Sequence, residues 1–243
     1  MRSLAVFSVK GGVGKSALAV NLAHASAALS ARRTLLWDLD PQGAATYTLR
    51  LSARPDSSAR KAISGGELGP LIQASDFPRL DVLAADKSLR QLEKQLSEDD
   101  KAKRLRKLIK SLDKDYDRVI LDCPPGLTEL ADQVFRAVDL LVVPMLPSPL
   151  SARAYDQLIE HLARHHKGNA PAILPVFTMV DRRKSLHRDT IAAAPDRPAI
   201  PYAAAIEAMA ATRLPVLVGG GRTAAARALS ALWADVERAL TKA

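Results

Sequence analysis

The feature that most constrains this chain is a glycine-rich loop near its N-terminus, residues 8–16, with the sequence SVKGGVGKS. An apolar, strand-like run precedes the loop, and a helix-compatible run, Ser16 to Ala31, follows it. In that context the glycines let backbone N–H groups turn inward, and the start of the helix adds its positive end. The loop therefore predicts a phosphate-binding site at the edge of an α/β sheet.

The loop departs from the usual pattern G-x-x-x-x-G-K-[ST], because Val9 occupies the first glycine position and Lys10 is an additional lysine. We expect Lys15 to neutralise the charge of nucleotide β- and γ-phosphates and the Ser16 hydroxyl to bind Mg²⁺. The residues expected to contact the nucleotide here are Gly11, Gly12, Val13, Gly14, Lys15, Ser16 and Ala17.

Two other segments end in carboxylates at positions that suit a phosphate-binding enzyme. Residues 35–42, LLWDLDPQ, place Asp38 and Asp40 at alternate positions after an apolar run. Residues 119–125, VILDCPP, place Asp122 at the end of another such run. Because ligands of open α/β folds bind at the carboxyl ends of the strands, we expect these side chains at one edge. Asp122 is the kind of residue that holds Mg²⁺ directly or through water.

Apolar runs alternate with segments of helical periodicity along the chain, which predicts a single α/β domain over residues 1–243. Because the strand-like runs are apolar throughout, we expect a mostly parallel sheet with helices on both faces. This is the three-layer α/β/α arrangement of P-loop NTPases. The predicted strands are Ser3–Ser8, Thr34–Asp38, Leu80–Ala84, Arg118–Asp122, Leu140–Pro144 and Ala172–Val180.

Three further segments carry recognisable patterns. Residues 101–114 predict an amphipathic helix with a basic outer face, which we interpret as solvated surface. The apolar spacing from Ala226 to Leu240 predicts a closing helix that packs on the core. Residues 52–79 contain many prolines, glycines and serines and predict a loop-rich excursion within the domain.

The composition indicates where such a chain resides. No run approaches the ~18 apolar residues of a membrane span. The early apolar run, Leu4 to Phe7, leads straight into the glycine loop, so we expect no signal peptide. Cys123 is the only cysteine, so no internal disulfide can form. We expect a cytoplasmic protein that does not bind membranes, with Cys123 as a small buried residue.

Three motifs, KGGVGKS, DLDPQG and LDCPPG, follow one another in this chain, together with LDVLAAD at residues 80–86 and TMVDRR at residues 178–183. In this order and spacing they resemble the ParA/MinD family of deviant-Walker ATPases. The similarity is greatest to its small, Soj-like ParA-type branch without an N-terminal helix-turn-helix domain, and it runs over essentially the whole chain. It implies a slow, partner-stimulated ATPase that uses ATP and Mg²⁺.

The resemblance also implies roles for individual residues. Lys10 looks like the family's signature lysine, which touches the nucleotide of the other subunit when two ATP-bound copies close face to face. Asp40 would orient or activate the attacking water, so the implied catalytic residues are Lys10, Lys15 and Asp40. Asp38 and Asp122 would support the Mg²⁺ shell together with Ser16.

For the adenine base, the resemblance points to loops late in the chain. It implies contacts near Met179 and Asp181, and in the segment around Ile200, Pro201 and Tyr202. Met179, Asp181 and Pro201 are the residues that we predict to bind the nucleotide there.

The resemblance further implies that an ATP-bound homodimer binds DNA without sequence preference, in a nucleoid-associated location. A ParB-like or cargo-adaptor protein would stimulate hydrolysis. The formal net charge of +9 favours a polyanionic partner because bound phosphates release counterions. The predicted DNA-binding residues are Arg183, Lys184, Arg188, Arg213, Arg222 and Arg227.

Two alternatives remain open. One is a MinD-like positioning ATPase that uses a membrane or protein scaffold instead of DNA, and the other is an ATP-dependent metabolic ligase on the same fold. A third branch, iron proteins with a cluster between subunits, needs two cysteine ligands per chain, and this chain has one cysteine.

A small histidine group lies outside all of these motifs. His161, His165 and His166 fall on one predicted helix, and an i, i+4 pair can bind a metal. No carboxylate or cysteine completes a convincing ligand set in the sequence, so we interpret the group as a surface histidine cluster.

Overall fold

The computed structural model describes residues 1–52, 68–85, 104–219 and 222–242. All described strands belong to one sheet, in the order β3-β4-β2-β5-β1-β6-β7-β8. The strands are β1 (Arg2–Val6), β2 (Thr34–Asp38), β3 (Ile72–Ala74), β4 (Leu80–Leu83), β5 (Arg118–Asp122), β6 (Leu140–Met145), β7 (Ala172–Val180) and β8 (Ala199–Pro201).

The sheet is parallel apart from β3, which runs antiparallel to β4 at one edge. In β2 and β5 the two terminal aspartates are register partners, Asp38 opposite Asp122, and Val6 of β1 also pairs with Asp122. The carboxylates at the ends of neighbouring strands therefore meet at one edge, beside the loop that follows β1.

Helices connect the strands on both sides of the sheet. Those in the described residues are α1 (Lys15–Leu29), α2 (Ala44–Thr48), α3 (Arg104–Ser111), α4 (Glu129–Ala137), α5 (Pro149–His165), α6 (Ser185–Ala192), α7 (Ala204–Glu207), α8 (Met209–Thr212) and α9 (Ala224–Lys242). Short 3₁₀ turns span Gly69–Leu71 and Val216–Gly219.

Two apolar clusters cover the two faces of the sheet. Trp37 of β2 belongs to the cluster that includes Phe135 of α4 and Leu158 of α5. Its neighbour Leu36 belongs to the other cluster, with Leu22 of α1 and Trp233 of α9. Successive strand residues thus point to opposite faces and are buried on both. The predicted mostly parallel sheet with helices on both faces is confirmed.

The six predicted strands are all present, with ends that differ by at most two residues. The two outermost strands, β3 and β8, were not predicted, because each has only three residues and shows no measurable periodicity. The closing helix is confirmed as α9, and the basic amphipathic helix as α3, which buries Leu105, Leu108 and Ile109.

The predicted loop excursion at residues 52–79 lies partly outside the described residues, as do residues 101–103 of the predicted basic helix and Asp86. The described part of the excursion holds the first 3₁₀ turn and β3 rather than loop alone. Within the described ranges, no helix combines the length and the apolar character that crossing a membrane requires.

Candidate nucleotide-binding site

The loop between β1 and α1 has the backbone shape that its glycines predict. Gly12 and Gly14 have φ angles of +72° and +83°, in the left-handed region that favours glycine. Gly14 caps α1, so the first N–H groups of the helix are open to a ligand at this end. The Thr178 hydroxyl of β7 donates to the Val13 carbonyl at 2.9 Å and holds the loop against the sheet.

Lys15, the first residue of α1, lies at the end of this loop and is only 8% exposed. Its ammonium lies 3.5 Å from the Lys10 carbonyl oxygen. Burial lowers the pKa of Lys15, while the nearby carboxylates of Asp122 and Asp40 act to raise it. The loop thus presents a buried cation, and the negative charge of a phosphate would compensate for its burial.

Asp38 is fully buried, and its carboxylate accepts three hydrogen bonds. The donors are the Thr46 backbone N–H at 2.9 Å, the Thr46 hydroxyl at 2.7 Å and the Asp40 backbone N–H at 3.2 Å. Burial raises the pKa of Asp38 to about 6, and these hydrogen bonds oppose the rise. Thr46 lies only eight residues after Asp38. It was not predicted from the sequence, because it belongs to no recognisable motif.

Asp122 is also fully buried, yet neither of its carboxylate oxygens has a hydrogen-bond partner among the described residues. Burial raises its pKa well above the usual range and Asp38 adds to the rise, while the Ser16 hydroxyl and Lys15 act against it. Unpaired carboxylate oxygens beside a serine hydroxyl are the oxygen ligands that Mg²⁺ prefers. Ser16 and Asp122 therefore fit a Mg²⁺ site.

Lys10 and Asp40 are both half-buried, in contrast to the buried Lys15. Asp40 accepts a hydrogen bond from the Gln42 backbone N–H at 2.9 Å, which orients its carboxylate. The Lys10 side chain makes no hydrogen bond or ion pair with the residues that the structure describes. Lys10 is therefore a free cation beside the loop.

On the other side of Gly14 lies an apolar cavity of about 230 Å³. Residues from α1, the end of β7, β8 and α7 line it, among them Ala17, Asn21, Met179, Pro201, Tyr202 and Ile206. Met179 has a φ of +53°, and its methyl group faces Gly14, where an added Cβ would lie 3.6 Å from it. We call this space the apolar cavity.

Comparison with known proteins decides the family. Residues 1–173 match the AAA domain family AAA_31. The chromosome partitioning protein ParA of Caulobacter vibrioides is 33% identical over 195 residues, which are 76% of this chain and 72% of that protein.

The chain belongs to the ParA/MinD family. Membership of this family of ATPases makes it a partitioning or positioning ATPase.

Solved structures share the fold over nearly the whole chain. An ATP complex of Cyanothece McdA has a TM-score of 0.86 at 20% identity and covers 99% of this chain and 96% of its own. Cobyrinic acid a,c-diamide synthase of Mycobacterium smegmatis, with ADP and magnesium, has a TM-score of 0.81 at 26% identity and covers 98% and 94%. Proteins of this fold thus bind nucleotide and magnesium.

The predicted adenine contacts of this ParA/MinD member lie in two places. Met179 and Pro201 line the apolar cavity. Asp181 does not line it. Its carboxylate forms a bidentate ion pair with Arg183, at 2.9 Å to Nε and 2.8 Å to Nη2. This pair lowers the pKa of Asp181. Asn21, Leu18 and Ile206 line the cavity but were missed, since helix residues without a motif carry no signal for it.

The predicted DNA-binding residues fall in three groups. Arg183, Lys184 and Arg188 lie at the start of α6, where the Arg188 guanidinium donates to the carbonyls of Arg182 and Arg183 at 3.0 and 3.1 Å. Arg213 donates to the Tyr47 carbonyl at 2.8 Å and stacks 4.5 Å above its ring centroid. Arg222 and Arg227 lie at the start of α9, where the Arg227 guanidinium donates to the Arg222 carbonyl.

The histidine group differs from its interpretation as a surface cluster. His166 is buried rather than exposed, and a carboxylate does complete the set, because Asp132 of α4 contacts both His161 and His166. Asp132 lies 29 residues before His161, and only the packing of α4 against α5 brings them together. Cys123 is 1% exposed, as predicted.

Proposed function

We propose that this chain is a nucleotide-dependent dimerisation switch that acts on DNA. ATP binding would let two copies close face to face, the closed dimer would bind DNA without sequence preference, and hydrolysis would release it. The observation that supports this proposal is the pair of lysines on one loop. Lys15 is buried among carboxylates, whereas Lys10 is free.

The two lysines can bind the nucleotides of different subunits. Lys15 lies inside its own loop and can neutralise the β- and γ-phosphates of the nucleotide bound there. Lys10 has no partner in the described part of its own chain, so it is available to the nucleotide of a second copy. A cation supplied in trans stabilises charge that develops on the transferred phosphoryl group, as an arginine finger does. Dimerisation would therefore depend on the γ-phosphate.

Hydrolysis needs a positioned water rather than a strong base, because phosphoryl transfer depends mainly on orientation and charge. Asp40 is the half-buried carboxylate beside Lys15, and we assign it the orientation of the attacking water. Mg²⁺ held by Ser16 and Asp122, with Asp38 behind Asp122 in the adjacent strand, would neutralise charge on the phosphate oxygens. Met179 and Pro201 would contact the adenine ring in the apolar cavity.

The cargo surface is assigned to the late basic residues. The net charge of +9 attracts a polyanion electrostatically. Exposed Arg222, Arg227 and Lys184 would contact phosphates without reading bases. A ParB-like or cargo-adaptor protein would accelerate hydrolysis and so set the lifetime of the DNA-bound dimer in a nucleoid-associated location.

The experiment is binding to a random-sequence DNA duplex with ATP, with ADP and without nucleotide, over a salt series. We expect binding only with ATP and a loss of at least about tenfold in affinity between roughly 50 and 200 mM salt. Lys10→Ala should still bind nucleotide but lose both the dimer and DNA binding. Lys107→Ala is the matched control, since it removes an exposed lysine of α3 that has no assigned role.

Each part of the proposal can fail separately. If ATP drives dimerisation but no nucleotide state binds DNA, the dimerisation switch is retained and the proposed DNA-binding surface is wrong. Vesicle pelleting would then test for binding to a lipid surface. If Lys10→Ala still dimerises normally with ATP in size-exclusion chromatography, the role of Lys10 is wrong.

The second candidate function is an ATP-dependent ligase, which the 26% identity with cobyrinic acid a,c-diamide synthase favours. A ligase would activate a carboxylate of its substrate with the γ-phosphate beside Lys15. The distinguishing result is ADP release that depends on a small carboxylic acid and an amine donor, without any change in oligomeric state.

A further inference from the structure

Three side chains outside the nucleotide site converge on one point. Nε2 of His161 lies 2.8 Å from Oδ1 of Asp132, and Nε2 of His166 lies 2.6 Å from the same oxygen. The potential ligand atoms of the three residues all lie within 4.8 Å of one another. We call this group the Asp132 cluster.

The packing of two helices holds the Asp132 cluster in place. Asp132 lies in the first turn of α4, His161 lies near the end of α5, and His166 caps that helix with its backbone N–H bonded to the Leu162 carbonyl at 2.9 Å. Phe135, one turn after Asp132, sets its ring edge-on to both imidazoles, with centroids 6.1 and 5.6 Å apart. The convergence is thus built into the core and does not depend on mobile surface side chains.

The cluster is buried on one side and open on the other. The side chain of His166 is 1% exposed, whereas those of His161 and Asp132 are 19% and 21% exposed. His161 also lines a shallow surface depression with Leu127 and Glu160. An ion from solvent can therefore reach the cluster while the buried imidazole stays fixed.

The atoms of the cluster suit a cation. One carboxylate oxygen of Asp132 faces a ring nitrogen of each histidine at 2.8 and 2.6 Å. Nδ1 of His166 has no partner among the described residues. When its proton moves from Nε2 to Nδ1, the hydrogen bond from Nε2 to Asp132 is lost, and the Nε2 lone pair becomes free to bind a cation in its place.

We propose that Asp132, His161 and His166 form a binding site for a divalent transition-metal ion of the zinc class. Two imidazole nitrogens and one carboxylate oxygen are a ligand set typical of Zn²⁺ or Co²⁺ rather than Mg²⁺, and solvent supplies the remaining position. Tetrahedral coordination needs the present N···O separations to widen by about 0.6 Å, which side-chain rotation can supply. The bound ion would clamp the start of α4 to the end of α5.

The experiment uses the full chain, stripped of metal by a chelator and then titrated with Co²⁺ while its visible absorption is recorded. We expect one equivalent of Co²⁺ with the intense bands of a tetrahedral site, displaced by Zn²⁺ and independent of ATP. His161→Gln and Asp132→Asn should each weaken Co²⁺ binding by at least about tenfold. His165→Gln is the matched control and should bind Co²⁺ like the wild type, because His165 lies beside His161 but outside the cluster.

A second variant separates the cluster from the phosphate loop. Asp122→Asn should keep the Co²⁺ bands, and loss of the bands in that variant would assign the ion to the phosphate site and overturn the proposal. Equal Co²⁺ affinity in wild type, His161→Gln and Asp132→Asn would also overturn it, as would absence of binding by the folded wild type. Circular dichroism establishes that each variant is folded, and Zn²⁺ should raise the melting temperature of wild type but not of His161→Gln.

Discussion

The phosphate-binding loop and the apolar cavity lie on either side of Gly14, yet they are built on opposite principles. The loop region buries charge: Lys15, Asp38 and Asp122 are all nearly or fully buried. The apolar cavity is lined mainly by carbon atoms. Two of its residues, Leu18 and Leu229, belong to the same apolar cluster of the core as Leu36 and Trp233. One region is organised around electrostatics and the other around shape.

This difference has an energetic consequence. A buried carboxylate without a hydrogen bond costs stability, because its desolvation is not compensated. Asp122 has no well-formed hydrogen bond to a described residue, so a bound cation would compensate for the burial of its carboxylate. The cavity walls, by contrast, stabilise the fold whether or not a ligand is bound. Substitutions in the two regions should therefore differ in what they change.

The largest effect is expected in the loop region, for Asp40→Ala. Loss of the carboxylate that orients water should lower ATP turnover by at least about 10²-fold, while nucleotide affinity changes little. The ATP-bound dimer should then persist, as measured by size-exclusion chromatography and by release of phosphate. Undiminished turnover would show that Asp40 has no part in hydrolysis. Substitutions in the two regions would then not differ in the way proposed.

A substitution in the apolar cavity should act on affinity instead. Ala17→Leu fills part of the cavity from α1 and should weaken ATP binding by about tenfold or more, through steric exclusion of the base. Equilibrium binding of a fluorescent ATP analogue measures the change. Ala28→Leu is the matched control, since it makes the same substitution at an exposed position of the same helix. Equal affinity of the two variants would contradict base binding in the cavity.

The next effect is a dependence of the free energy of unfolding on pH, which we expect from Asp38 in the loop region. The folded-state pKa of Asp38, about 6, lies above its ordinary value of 3.8, so the folded protein holds this proton more tightly than the unfolded chain. Between these two values a rise in pH therefore lowers stability, and above the folded pKa the loss is complete. Thermal melts of the nucleotide-free, magnesium-free protein should show this against Asp38→Asn as reference. A wild type that gains stability relative to Asp38→Asn as pH rises from 4 to 6 would contradict the raised pKa.

The smallest effect is expected for Thr46→Val, which removes one hydrogen bond to Asp38 and the acceptor of the Ala85 N–H at 2.9 Å. Stability at neutral pH should fall by about 1 kcal/mol, because two backbone donors to Asp38 remain. Thr48→Val is the matched control, since the Thr48 hydroxyl bonds only the Ala44 carbonyl within the same helix. Chemical denaturation should show the larger loss for Thr46→Val.

Much of the loop region could be predicted from the sequence. The strand, the loop and the helix are contiguous, and Gly12 and Gly14 adopt positive φ angles as glycines of such a loop do. Asp38 and Asp122 could be placed at one edge because parallel strands end there. The apolar cavity was predicted only in part. Family resemblance pointed to Met179 and Pro201, which line it, but the lining residues Leu18, Asn21 and Leu229 come from helices without a motif.

The sequence by itself determined the α/β class, the phosphate-binding loop and the carboxylates at the strand ends, because these depend on local conformation and on the period of apolar residues. Only the tertiary structure decided which neighbours those groups meet. It gave Asp38 its partner Thr46, and it buried Asp122 with neither carboxylate oxygen in a well-formed hydrogen bond to a described residue. It also set Asp132 against two histidines, because contacts between distant segments follow from packing and leave no periodic signal in the chain.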